Sequence, residues 1–193
     1  LYDMRTVVTE DNQVTNLIAI AAILLVLVLT FKSATLPVIL IATIESAIFL
    51  NLAVPYFTGD SLNYLGFLVI NTVQLGATVD YAILFTDTYR KHRRSMPPRQ
   101  ALARTLGTSF QSILVSASIL TSAGLVLWLT STNNIVSLLG LLLARGTLLS
   151  FFLVVTFLPA ALLIFDKLIA KTTWHAGFFR GGGHLETEKE AGS

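Results

Sequence analysis

The sequence predicts an all-α membrane protein of five transmembrane helices, with the N-terminus outside and the C-terminus inside. Three observations carry that prediction. Of 193 residues, 54% are hydrophobic and only 12% are charged, about half the charged share of an ordinary soluble domain. The apolar residues fall in long runs separated by short polar stretches. Once those runs are threaded through a bilayer, eleven of the thirteen Lys and Arg residues lie on one side. A disordered chain and a typical soluble enzyme are excluded by this pattern, and the lack of cysteine excludes a disulfide scaffold. No nucleic acid partner is implied, because the net charge is only +2 and the cations are sorted by membrane side.

A run of roughly 20 apolar residues crosses a bilayer as a helix, and five segments qualify. The first spans about 14–31, its core being Asn16 to Phe31, and the second about 36–56, with Pro37 in its first turn and Pro55 in its last. The third spans about 62–89 and the fourth about 110–130. The fifth, about 135–166, is long enough to tilt or to bend at Pro159. Residues 1–13 read as the tail of an extracytoplasmic region, and Leu1 in place of Met suggests a fragment or processed piece. No charged segment followed by a cleavage site marks a signal peptide. Together, 14–170 form one transmembrane domain, and the Gly-rich, charged stretch 171–193 reads as a flexible cytoplasmic tail.

The cations set the orientation. Lys32, the group Arg90, Lys91, Arg93, Arg94, Arg99 and Arg104, and then Lys167, Lys171, Arg180 and Lys189 share one face, which the positive-inside rule makes cytoplasmic. Only Arg5 lies opposite, and Arg145 falls within the fifth span. The basic elbow 90–109 has two readings. One is a topology determinant with a short surface helix starting at Pro97-Pro98, turning Ala101, Leu102 and Leu106 to lipid and Arg99 and Arg104 to phosphates. The other is recognition of anionic lipid or a cytoplasmic partner. His92, His175 and His184 are isolated and lack metal-ligand spacing.

Ionisable groups at membrane depth cost at least about 2.5–3.5 kcal/mol on insertion scales, so they are functional candidates. There are three: Glu45, Asp80 and Arg145. At about 1.5 Å per residue all three fall near the mid-plane. Arg145 pairing permanently with Glu45 or Asp80 would simply lock the bundle; alternatively, at least one acid changes protonation in a transport cycle. Asp87 lies within a turn of Arg90 and Lys91 and is expected to pair with them. Asp80 has the richest context, with Gly76 one turn earlier to admit a neighbouring helix and Tyr81 offering a hydroxyl across a helix seam. Asn71 and Gln74 add polar groups that either glue the bundle or line a wet path. The serines of the fourth span, including Ser112 and Ser116 one turn apart, suggest close packing or a proton wire.

The stretch VINTVQLGATVDYAILFTDTYRKHR resembles the fourth-helix signature of MMPL-type transporters of the RND superfamily, and VSLLGLLLARGTLLSFFLVVTFLPAALLIFD resembles the helix closing each of their transmembrane halves. The likeness covers about residues 6–170. It implies an RND-type half bundle, helices like two to six of a C-terminal half, in a bacterial or archaeal plasma membrane. Asp80 and Tyr81 then match the family's proton-relay pair, protons would be the coupling ion with no other cofactor, and Glu45 and Arg145 would be supporting charges. The implied partners are the remaining half and porter domain, membrane lipids and a hydrophobic or lipid-like substrate, with a homo-oligomer left open. GATVD also fits the Gly-x-x-x-Asp pattern of sterol-sensing domains, so a lipid-binding or regulatory module without transport is the alternative. No nucleophile–base set suggests an enzyme.

Overall fold

The structure is a computed structural model that describes residues 2–58 and 64–172, with side chains described for 17–55, 57, 72–169 and 172. Apart from an isolated bridge at Ser33, regular structure among these residues is helical throughout, in line with the predicted all-α class. The helices are α1 (Tyr2–Phe31), α2 (Thr35–Thr58), α3 (Tyr64–Arg93), α4 (Pro98–Thr130), α5 (Asn134–Ile164) and α6 (Asp166–Thr172). By length and composition Thr35–Pro55, Pro98–Thr130 and Asn134–Ile164 can cross a membrane, and α1 adds the shorter apolar stretch Leu17–Phe31. α3 is just as long but carries Asp80 and Asp87 and ends in Arg90, Lys91, His92 and Arg93. Its uncharged polar residues Gln74, Thr78 and Thr86 are buried against protein, where lipid does not meet them.

Three boundaries differ from expectation. α1 begins at Tyr2, twelve residues before the predicted span, since neither Gly nor Pro interrupts Tyr2–Phe31. The elbow contains no separate surface helix: α4 starts at Pro98, as the Pro pair predicts, and runs 33 residues without a break. At about 50 Å it is longer than the hydrocarbon core is thick, so its basic first turns extend past the apolar part. Ala101 is accordingly fully buried, and Leu102 and Leu106 pack against the core instead of facing lipid. α5 continues through Pro159, and the break comes at Phe165, where Asp166 starts α6.

α5 is the backing of the bundle, packing against α2, α3 and α4, while α1 lies on α2. Between α4 and α5 the backbones nearly touch. A Cβ built on Gly124 would lie 2.7 Å from the Gly140 carbonyl oxygen, and one on Gly140 would lie 2.6 Å from that of Gly124. The main core gathers Leu27, Phe31, Leu40, Tyr81, Phe85, Ile113, Val154 and Leu158 from all five long helices. The polar tail 173–193, with His175 and His184, lies outside the described residues.

Candidate functional site

A buried polar seam joins α2, α3 and α5. Gly146 of α5 leaves room for two amides: a Cβ there would lie 2.6 Å from both Asn51 Nδ2 and Gln74 Oε1. Asn51, fully buried, donates from Nδ2 to Gln74 Oε1 at 2.7 Å and to the Leu142 carbonyl at 3.2 Å. Gln74 Nε2 lies 3.4 Å from Ser150 Oγ, and the Ser150 and Thr78 hydroxyls are 2.6 Å apart. Buried amides need such partners, since an unmade hydrogen bond in an apolar interior is costly. Gln74 was visible in the sequence as a polar group at membrane depth. Asn51 and Ser150 were missed; a lone amide inside the apolar run of α2 was the only available signal for Asn51.

Arg145 belongs to this seam. Its Nε donates to Asn51 Oδ1 at 2.8 Å and its Nη2 to the Asn51 carbonyl at 3.0 Å. Among the described residues it forms no ion pair with Glu45 or Asp80, so of the two alternatives the pair that would lock the bundle is not formed. The reason is geometric. Glu45 lies six residues, about 9 Å, along α2 from Asn51. Asp80 lies two residues, about 200° of helix, from Thr78, which faces α5. Glu45 is half-buried, and its Oε1 has no hydrogen-bond partner among the described residues.

Asp80 and Tyr81 differ in burial although both line one groove between α3 and α4. Tyr81 is buried in the main core, whereas Asp80 is exposed. Asp80 lines a groove of about 330 Å³ between α3 and α4, together with Ala77, Leu84, Ser112 and Ser116. Gly76 is exposed, and a Cβ there would meet nothing within 4 Å, so no described helix approaches it. The Asn71 side chain lies outside the described residues. Two pairs of α4 serines behave differently. Ser118 and Ser122 donate to their own helix, at Leu114 and Ser118 carbonyls. Ser112 and Ser116 face the Asp80 groove instead.

A second polar cluster sits at the basic end. Arg93 makes a two-pronged contact with Asp166, Nε to Oδ1 at 3.1 Å and Nη2 to Oδ2 at 3.0 Å, and Tyr89 donates to Oδ1 at 3.0 Å. Both charged side chains are under 10% exposed, so this is a desolvated, geometrically matched pair. Sequence reading treated Asp166 only as the end of a span. Asp87 pairs with Lys91 at 2.7 Å as expected, while Arg90 turns away, donating to the Phe31 carbonyl at 3.0 Å with its guanidinium 5.9 Å from the Phe31 ring centre. Among the described residues no cluster of three or more His, Asp or Glu is arranged to hold a metal.

Comparison with known proteins agrees with this architecture. Two proteins of Streptomyces coelicolor, both bearing names that describe membrane proteins, are similar to it. ActII-3 is 28% identical over 159 residues, 80% of this chain and 22% of its own length. SCO0839 is 30% identical over 156 residues, 78% of this chain and 22% of its own length. The chain thus spans about a fifth of the relatives it matches. The profile described as the MMPL family matches residues 1–178. Nearly the whole chain, with its apolar helices and their polar seam, is covered by that match, and it belongs to the MMPL family as an all-α membrane protein.

Proposed function

We propose that this chain is one transmembrane half of an exporter of hydrophobic or lipid-like substrates driven by the proton gradient, with Asp80 carrying the proton. The observation that carries the reading is the position of Asp80. It is an exposed carboxylate thirteen residues, about 20 Å, from the basic end of α3, on a groove between two long helices. A carboxylate on an open groove can exchange protons and also meet a partner helix, whereas one locked to Arg145 could do neither. Ser112 and Ser116 on the opposite wall offer hydroxyls for relaying that proton. Tyr81 lines the same groove from the core side, and the Arg145–Asn51–Gln74 seam holds α3 against α5 from behind.

In this reading the basic end faces the cytoplasm, by the positive-inside rule, in the plasma membrane of a bacterium or archaeon. A second half and a porter domain of the full-length protein supply the facing wall of the groove and the choice of substrate. The test is efflux of the hydrophobic dye Nile red from cells expressing the full-length protein with Asp80→Asn. Loss of uncoupler-sensitive efflux at normal membrane abundance is expected, because an amide cannot load and release a proton. Undiminished efflux would overturn the assignment. Lipid binding that persists without any response to the proton gradient in the wild type would instead favour a sterol-sensing-type module.

A further inference from the structure

We propose that the turn joining α1 to α2 is a binding site for the phosphate of an anionic phospholipid, held by Ser33, Lys32 and the N-terminus of α2. This site lies apart from the Asp80 groove and does not depend on the proton-relay reading.

The turn borders an open cavity of about 240 Å³ lined by Val28, Lys32, Ser33, Ala34 and Thr172. That is well above the roughly 30 Å³ share of one water. Ser33 is 2% exposed, yet its hydroxyl has no hydrogen-bond partner among the described residues. The other hydroxyls nearby are engaged: Thr172 donates to the Leu168 carbonyl at 2.9 Å, and the Thr35 and Thr172 oxygens are 2.7 Å apart. Among the described residues Ser33 is therefore the lining hydroxyl left to donate, and a buried donor of this kind calls for an acceptor.

The charge around it selects an anion. α2 begins at Thr35, and Ala34 just before it has no side-chain oxygen with which to cap the first amides. Those amides lack intrahelical acceptors and carry the positive end of the helix dipole. Lys32 adds an exposed ammonium, and Arg90 is fixed one residue away by its bond to the Phe31 carbonyl. Among the described residues no acidic side chain lines the cavity.

The surroundings select a lipid as the source of that anion. The cavity lies at the basic end of the apolar helices, where headgroups meet hydrocarbon. Val28 forms its membrane-side wall, and Leu24 and Leu25, four and three residues earlier on the same side of α1, are exposed at 38% and 60%. A phosphate seated at Ser33 would lay its acyl chains along that face. A soluble phosphate would leave it uncovered.

The test uses the full-length protein in detergent, with bound lipid counted by native mass spectrometry during titration with phosphatidylglycerol or phosphatidylcholine. The wild type should retain phosphatidylglycerol several-fold over phosphatidylcholine. Ser33→Ala, which removes a hydrogen bond to a charged group, should weaken phosphatidylglycerol binding roughly tenfold. Lys32→Gln should weaken it about fivefold, the usual effect of one cation at a membrane surface. Lys32 sits at φ 50°, a left-handed conformation that suits glycine. Lys32→Gly should therefore fold at least as well as the wild type while losing the lipid, so a folding defect cannot mimic the result. Arg99→Gln, on the same membrane side but lining a different cavity, should leave binding unchanged. Equal losses in Arg99→Gln and Lys32→Gln, unchanged binding in Ser33→Ala, or displacement of the lipid by an equal concentration of inorganic phosphate would each overturn the proposal.

Discussion

Replacing Gly140 with Ala should destabilise the protein although alanine is the better helix former. The added Cβ would lie 2.6 Å from the Gly124 carbonyl oxygen, 2.7 Å from the Trp128 amide nitrogen and 2.8 Å from Leu127 Cβ. Two of these are backbone atoms of α4, which no side-chain rotation can move. Ordinary contact starts at 3.4 Å, so the helices must separate by about 0.8 Å. A gap of that size forfeits a quarter to a half of the dispersion energy of each contact across the seam, and overpacking of this kind costs about 1–3 kcal/mol. The gain in helix propensity offsets at most about 1 kcal/mol. The assay is unfolding of the full-length protein in detergent, with Gly107→Ala as the reference. Gly107 is helical and exposed, with nothing within 4 Å of a Cβ, so its replacement should be neutral or stabilising. If Gly140→Ala proves as stable as Gly107→Ala, the close α4–α5 approach is wrong.

Two further outcomes follow from the polar clusters. Asp166→Asn removes the countercharge of a buried arginine and should cost about 3–5 kcal/mol in the same unfolding assay, while Lys91→Ala, breaking the exposed pair with Asp87, should stay within about 0.5 kcal/mol; equal effects would refute the distinction between the pairs. A double-mutant cycle between Asn51→Ala and Arg145→Met should give a coupling of about 0.6–1.7 kcal/mol, the range for interhelical hydrogen bonds in membranes, and a coupling near zero would show that the contact contributes nothing.

α2, α4 and α5 were legible because each carries a long apolar run, and the start of α4 because Pro97-Pro98 marks it. The partners of the polar side chains were not. Depth placed Glu45, Asp80 and Arg145 near one plane, but depth carries no azimuth, and Arg145 turns to Asn51 on α2 instead of to either acid. The glycines show the same limit. Gly76 stands in the most suggestive motif and meets no described neighbour, whereas Gly124, Gly140 and Gly146 stand in plain apolar or polar context and make the close approaches. Whether a small residue admits a neighbour depends on which face that neighbour occupies, and one-dimensional spacing does not contain this. Asp166 was hidden for a related reason: its partners Arg93 and Tyr89 lie more than seventy positions away in the chain.

α5 is fastened to both walls of the Asp80 groove by different means. It meets α4 through bare backbone at Gly124 and Gly140, and α3 through the hydrogen bonds of Gln74, Thr78 and Ser150. The spacing of the walls is therefore governed from behind, like the opening of a book set by its spine. A change of a few tenths of an ångström at Gly140 or Gly146, neither of which lines the groove, alters the distance from Asp80 to Ser112 and Ser116. In the proposed exporter, residues that never contact the proton would in this way set how readily it is passed.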